Sequence, residues 1–287
     1  MCRLYGFRSQ ILSGVHQSLV AAENALEQQS LEHPDGWGLS YYQGRFPHVI
    51  RSDKQALDDH LFRNISAVVS TRTLLAHIRQ ATVGGVGVLN CHPFQHGPWT
   101  FVHNGEVAGH DRSEIGDAIR DAVDPRFRSF VMGETDSESI FYMFLSRLSR
   151  RVEDIYEGGV MLPVVLDAVR ETVERVRAIG GADDEYAEEQ RTKLTIGITN
   201  GNILLGYRFR RPLFFSTYKT RCPERDSCPA FEHSKCEQRV DQGTVKHLIV
   251  TSERPAENPN VWTELEDDDY VAVDYGMNFH RGRLEST

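Results

Sequence analysis

Apolar and polar residues alternate in short runs at both ends of the chain. "CRLYGF", "WGLSYY", "LLAHIR" and "TFVHN" stand in its first part; "KLTIGIT", "NILLGYRF", "PLFFST", "VKHLIVTS" and "YVAVDY" stand in its last. A period of two predicts half-buried strands. Asn200-Gly201, between the first two late runs, is a dipeptide suited to a tight turn and predicts an antiparallel hairpin. Between the strand groups the apolar spacing becomes helical. In "TDSESIFYMFLSRLSR", Ile140, Phe141, Phe144, Leu145 and Leu148 share one face, and Thr135 with Glu138 forms a capping box at its start. A second helix is predicted over about 161–179, closed by Gly180-Gly181, with the acidic "GGADDEYAEEQR" after it as an exposed connector. Strands at both ends with helices between predict an α+β layered fold whose sheets are assembled from distant segments. No linker divides the chain, so 1–287 is expected to be a single domain.

Composition narrows the function classes. Of 287 residues 40% are hydrophobic and 25% charged, ordinary values for a chain with a sizeable core. The formal net charge of −9 argues against a nucleic-acid partner, since phosphate contacts need clustered Lys and Arg. No apolar run approaches the roughly 20 residues that span a bilayer, and no signal-peptide core follows Arg3. A cytoplasmic location without membrane association is therefore expected. Five cysteines, an odd number, fit a reducing compartment better than a disulfide framework.

Cys2 is the first candidate for chemistry. Once Met1 is removed, it would carry a thiol beside a free α-amine, titrating near ~8.5 and ~8. The amine could then serve as base for its own thiol, which attacks a carbonyl to form a thioester. The alternative is a small buried residue in a first strand. Arg79 lies where a strand becomes a loop, suited to gripping a carboxylate or equally to an ordinary surface position. Asn104-Gly105 in "FVHNGEV" is either a hairpin signal or an oxyanion hole made by an amide and a backbone N–H. Asp136, in the first turn of the capped helix, either complements the helix dipole or receives a substrate ammonium.

Taken in order, Met1-Cys2, "DGWG", "AHIRQAT", "NCHPF", "FVHNGE" and "GETDSE" resemble the class II, N-terminal-nucleophile glutamine amidotransferases. The likeness is strong over the first half of the chain and looser after it. It is nearest to the small stand-alone YafJ-like members and the γ-glutamyl amidohydrolase of ergothioneine synthesis. The resemblance implies a four-layer α-β-β-α sandwich of mostly antiparallel sheets, with the N-terminal cysteine at the edge of one sheet. It implies an amidohydrolase that cleaves the γ-amide of glutamine or a γ-glutamyl compound through a Cys2 thioester, without a cofactor. In that reading Asn104 and Gly105 stabilise the oxyanion, Arg79 holds the α-carboxylate and Asp136 the α-ammonium. Thr82 and Trp37, within the matching motifs, are expected to line the substrate site. The ammonia would pass to water or to a separate synthase, for which no domain is visible here. The rivals are an amidase of the choloylglycine type and a non-catalytic module held by metal.

Two stretches depart from the pattern. Cys91 stands where the family carries Thr or Ala, and is expected to act as a small apolar substitute, not a redox partner. Cys222, Cys228, His233 and Cys236 suggest zinc, but their C-x5-C and C-x7-C spacings are not the tight knuckle type. A metal-free surface loop at about 220–240 is expected. Gly84, Gly85 and Gly87, close to Arg79, suggest that 80–89 is a lid over the substrate.

Overall fold

The computed structural model describes residues 2–22, 24–157, 159–182, 185–255 and 259–284. Among the described residues fourteen strands form two sheets. The first contains β1 (Arg3–Gly14), β2 (Trp37–Tyr42), β3 (Pro47–Ser52), β4 (Ser70–Ile78), β9 (Phe214–Ser216), β11 (His247–Thr251) and β12 (Thr263–Glu264), in the order β12-β9-β11-β1-β4-β2-β3. The second contains β5 (Phe94–His96), β6 (Trp99–Glu106), β7 (Lys193–Thr199), β8 (Leu204–Tyr207), β10 (Gly243–Thr244), β13 (Asp269–Val273) and β14 (Asn278–Arg283), ordered β10-β14-β13-β8-β7-β6-β5. Every pairing within the two sheets is antiparallel.

Alternation along the strands builds the layers. Leu4, Leu75, Val102 and Val250 point between the sheets and form one apolar cluster. Tyr5, Phe7, Leu74 and Ala76, one residue out of phase, point outward and pack with Phe62 of helix His60–Val68. On the second sheet, Phe101, Leu194, Ile196 and Ile198 point the other way, into a cluster with helices Asp136–Leu148 and Leu162–Gly180. The result is the expected α-β-β-α order. All 13 residues of helix Asp136–Leu148 are buried, because it lies inside the layer instead of on the surface.

Local signals behave as their chemistry requires, with one exception. At the β7–β8 hairpin, Asn200 Oδ1 accepts from the N–H groups of Asn202 (3.0 Å) and Ile203 (2.9 Å), while Gly201 takes φ +86°. Thr135 caps its helix by accepting from Glu138 N–H at 3.2 Å. Only half the capping box forms: Glu138 Oε2 accepts instead from Gly133 N–H (2.6 Å) and Met132 N–H (3.1 Å). The resemblance also implied a place for the N-terminal cysteine at a sheet edge. β1 is an interior strand, and Cys2 sits at its end, between β11 and β4. Among the described residues no helix is long and apolar enough to cross a membrane.

Candidate active site

Since Leu4 points between the sheets, alternation brings Cys2, two residues earlier, to the same side. Cys2 is half-buried, and its thiol is unbridged. It donates to the Gln80 carbonyl (3.3 Å), and the sulfur accepts from Gln80 N–H at 3.4 Å. Burial pushes the thiol pKa up. The Gln80 N–H and the Arg79 guanidinium pull it down, and the Asp136 carboxylate adds to the rise. Cys2, Arg79 and Asp136 therefore share one electrostatic neighbourhood.

The segment that meets Cys2 is fixed by Asp35 and Gly36. Arg79 N–H donates to Gly36 O (2.8 Å), Asp35 N–H to Arg79 O (3.1 Å), and Ala81 N–H to Asp35 Oδ2 (2.8 Å). Arg79 itself is only 3% exposed, so it is not a surface arginine. Its guanidinium donates to the carbonyls of Gly85 (3.0 Å), Val83 (3.0 Å) and Gly84 (3.3 Å). Asn90 Nδ2 also reaches Gly85 O (2.9 Å), and Gly85 N–H donates to Glu134 Oε2 (3.1 Å). The glycine loop is thus drawn toward the site by Arg79, Asn90 and Glu134.

Across the inter-sheet space, Asn104 and Gly105 lie within β6, opposite Thr195 and Leu194, so they are strand residues and not a hairpin. Val102 points inward, and Asn104 shares its face. Asn104 is largely buried, and its carboxamide makes no hydrogen bond to a described residue. A side chain at Gly105 would place its Cβ 2.0 Å from Lys193 O, so only glycine fits this approach. His103 points outward, its Nδ1 2.8 Å from Ser137 Oγ and its Nε2 3.0 Å from Lys193 O. Asp136 Oδ2 accepts from Val107 N–H (2.8 Å) and Oδ1 from Ser137 N–H (2.7 Å), fastening the helix start to the end of β6. A thiol at a strand end and a carboxamide facing the same space lie at one end of the sandwich, with the Arg79 guanidinium and the Asp136 carboxylate in electrostatic reach of the thiol.

The family model for class-II glutamine amidotransferases matches residues 1–180. The chain belongs to this family. It is similar to an uncharacterized protein of Methanocaldococcus jannaschii, 30% identical over 174 residues (58% of this chain, 45% of that protein). It is also similar to YafJ of Escherichia coli K12, a protein named after the glutamine amidotransferases, 32% identical over 124 residues (42% and 44%). A third relative is the γ-glutamyl-hercynylcysteine sulfoxide hydrolase of Mycobacterium tuberculosis, 33% identical over 82 residues (28% and 35%). The matches span less than half the length of each of these relatives. The fold is that of a protein described as a glutamine aminotransferase class-II domain protein from Silicibacter pomeroyi, with a TM-score of 0.63 at 18% identity over 98% of this chain and 99% of that one. It is also shared with the glutamine phosphoribosylpyrophosphate amidotransferase of Bacillus subtilis, with a TM-score of 0.60 at 12% identity over 100% of this chain and 50% of that one.

Not every motif residue of this class II amidotransferase reaches the site. Trp37 is fully buried on the outer face of the first sheet, its indole 3.1 Å from Asp59 Oδ2 and edge-on to Phe62. The substrate contact expected of Trp37 is corrected: it is a packing residue whose backbone neighbours, Asp35 and Gly36, serve the site. Thr82 is exposed at the start of the glycine loop. Cys91 is buried against the Ser52 and Gly87 carbonyls, and burial pushes its thiol up to about 11, as suits a small apolar residue.

Other contributors lie outside the sequence-level reading. Asp35, Asn90 and Glu134 hold the loop. The His77 and His92 rings lie 4.2 Å apart and tilted by 38°, and burial pulls His77 down to about 3 and His92 well below its ordinary value. At the opposite face of the first sheet, Cys222, Cys228 and Cys236 line a cavity of about 580 Å³ with Tyr5, Phe7 and His247. No group of His, Cys, Asp and Glu among the described residues is arranged to hold a metal ion. His233 pairs with Glu237 (2.9 Å).

Proposed function

We propose that the chain hydrolyses the γ-amide of glutamine or of a γ-glutamyl compound through a thioester on Cys2. With Met1 removed, the α-amine of Cys2 takes the thiol proton. The thiolate then attacks the γ-carbonyl carbon, forming a C–S bond. Negative charge moves to the carbonyl oxygen, where the Asn104 amide and the Gly105 N–H donate to it. The intermediate collapses, the C–N bond breaks, and the leaving ammonia or amine takes its proton from the α-ammonium. Water, deprotonated by the same amine, cleaves the thioester to release glutamate and restore the thiol. Arg79 and Asp136 hold the α-carboxylate and α-ammonium, so the side-chain amide is the part presented to sulfur. No cofactor enters these steps.

The observation that carries this reading is the unbridged Cys2 thiol facing the inter-sheet space shared by the Asn104 carboxamide, which makes no hydrogen bond to a described residue, and lying within electrostatic reach of Arg79 and Asp136. An amidase of the choloylglycine type would not need opposed charges for both ends of an amino acid. A separate synthase remains an admissible acceptor of the ammonia. The test is glutamate release from glutamine and a panel of γ-glutamyl compounds, with mass spectrometry of the amino terminus. Wild type should release glutamate, and Cys2→Ala should release none while unfolding at the same denaturant concentration. Substantial turnover in Cys2→Ala would sink the mechanism.

A further inference from the structure

Residues 208–213 carry the chain from β8 in the second sheet to β9 in the first. This crossover passes the end of the inter-sheet space where Cys2 lies. Thr195, directly across the ladder from Asn104, donates its hydroxyl to the Arg211 carbonyl at 2.7 Å. Leu213 packs between the sheets with Leu4 and Val102. The anchor on Thr195 therefore fixes Arg211 beside the strand that carries the oxyanion donors.

Arg211 is half-buried, and its Nε is buried with no hydrogen-bond partner. Its guanidinium makes no ion pair among the described residues. Glu106, the carboxylate in electrostatic reach, is already bonded by Lys193 Nζ at 2.7 Å. Burial pulls the Arg211 pKa down, while Glu106 and the Cys2 thiol hold it up. A partly desolvated cation without a partner is costly and is stabilised when an anion arrives.

The sheet order supplies the direction. β4, which ends just before Arg79, flanks β1 on one side; β11 and then β9, which begins just after Arg211, flank it on the other. A γ-glutamyl group with its α-carboxylate on Arg79 and its γ-carbonyl at Cys2 sends its amine part toward the opposite flank. We infer that Arg211 binds a carboxylate on the leaving amine, so that the preferred substrates are γ-glutamyl amino acids or peptides over free glutamine. This rests on the hydrolase reading above. The balance is that of the proposed steps: the C–N bond breaks as the amino acid departs with the proton from the Cys2 ammonium, and water later breaks the C–S bond.

The experiment compares kcat/KM for γ-glutamylglycine and γ-glutamylethylamide, near-isosteres that differ in the carboxylate, using the full chain. Wild type should favour γ-glutamylglycine by about ten- to hundredfold, the range of a charge-assisted bidentate contact. In Arg211→Gln the ratio should fall toward one, with Arg211→Lys intermediate because it keeps charge without the fork. A wild-type ratio near one, or a ratio unchanged in Arg211→Gln, overturns the assignment. If wild type cleaves neither compound nor glutamine, the hydrolase reading itself fails, which a flat ratio alone would not show. The wild-type comparison decides the matter even if Arg211→Gln does not fold.

Discussion

Replacing Arg79 by lysine removes a planar fork that spans three consecutive carbonyls, those of Val83, Gly84 and Gly85. A single ammonium cannot reach all three in that geometry, so at least one bond is lost. Hydrogen bonds from a charged donor contribute about 1.5–3 kcal/mol each. Loss of one raises the population of the open loop roughly 10- to 150-fold. Val86, Val88 and Leu89 are exposed within the loop and are targets for a protease that cuts beside apolar residues. When opening is fast relative to cleavage, the cutting rate reads the open population directly. Arg79→Lys should therefore be cut in this loop at least about tenfold faster than wild type. Exchange of the Gly85 amide, bound to Glu134 Oε2, should accelerate in parallel. KM for the amide substrate should rise as well, because the same guanidinium is the proposed carboxylate clamp. A glutamine-like alkylator of Cys2 should suppress cutting in wild type if the loop closes over substrate. Equal cutting of Arg79→Lys and wild type would show that the three bonds do not hold the loop, and the reasoning would fall.

Trp37→Phe should lower stability by about 1–3 kcal/mol in chemical denaturation, from the lost bond to Asp59 and the gap beside Phe62, with KM unchanged. A raised KM without loss of stability would return Trp37 to the substrate site. Acid should destabilise the fold through His77 and His92. Burial holds His77 at about 3 and His92 well below its ordinary value, whereas an unfolded histidine titrates near ~6.5. Below that pH the unfolded chain binds protons that the folded chain does not, so stability falls as pH falls, by roughly 1 kcal/mol at pH ~5.5 through His77, with His92 acting in the same direction. Urea midpoints at pH ~7.5 and ~5.5 should differ, and His77→Gln should narrow the gap; an identical gap in the variant would remove His77 from the account.

Short-range chemistry was the legible part of the sequence. The β7–β8 turn, the Thr135 cap and the two long helices depend on contacts within a few residues, and each forms where the pattern places it. The motif order gave the family, and with it the layer order. What stayed hidden depends on contacts between distant segments. Glu138 faces two unsatisfied N–H groups of the preceding turn, a better partner than the one a capping box supplies. Asn104-Gly105 carries the strongest hairpin signal, yet pairing with β7 holds it extended. Trp37 and Gly36 are adjacent, but strand alternation sends the indole to the core while the Gly36 carbonyl holds Arg79. Helix His60–Val68 went unread, as did Arg211, whose significance comes from a crossover between sheets. The helix does leave a periodic trace, since Phe62, Ile65 and Val69 stand at helical spacing; Arg211 leaves none.

The interior position of β1 also imposes a schedule on synthesis. One neighbour, β4, is made early, but the other, β11, begins only at His247. At ribosomal rates of about 5–20 residues per second, that strand emerges roughly 12–50 seconds after the amino terminus. During this interval the end bearing Cys2 is held on one side alone, and enzymes that trim nascent chains have time to reach it. Once β11 docks along Tyr5–Ser9, β1 lies between two strands, so the strand that follows Cys2 takes its final setting only late in synthesis.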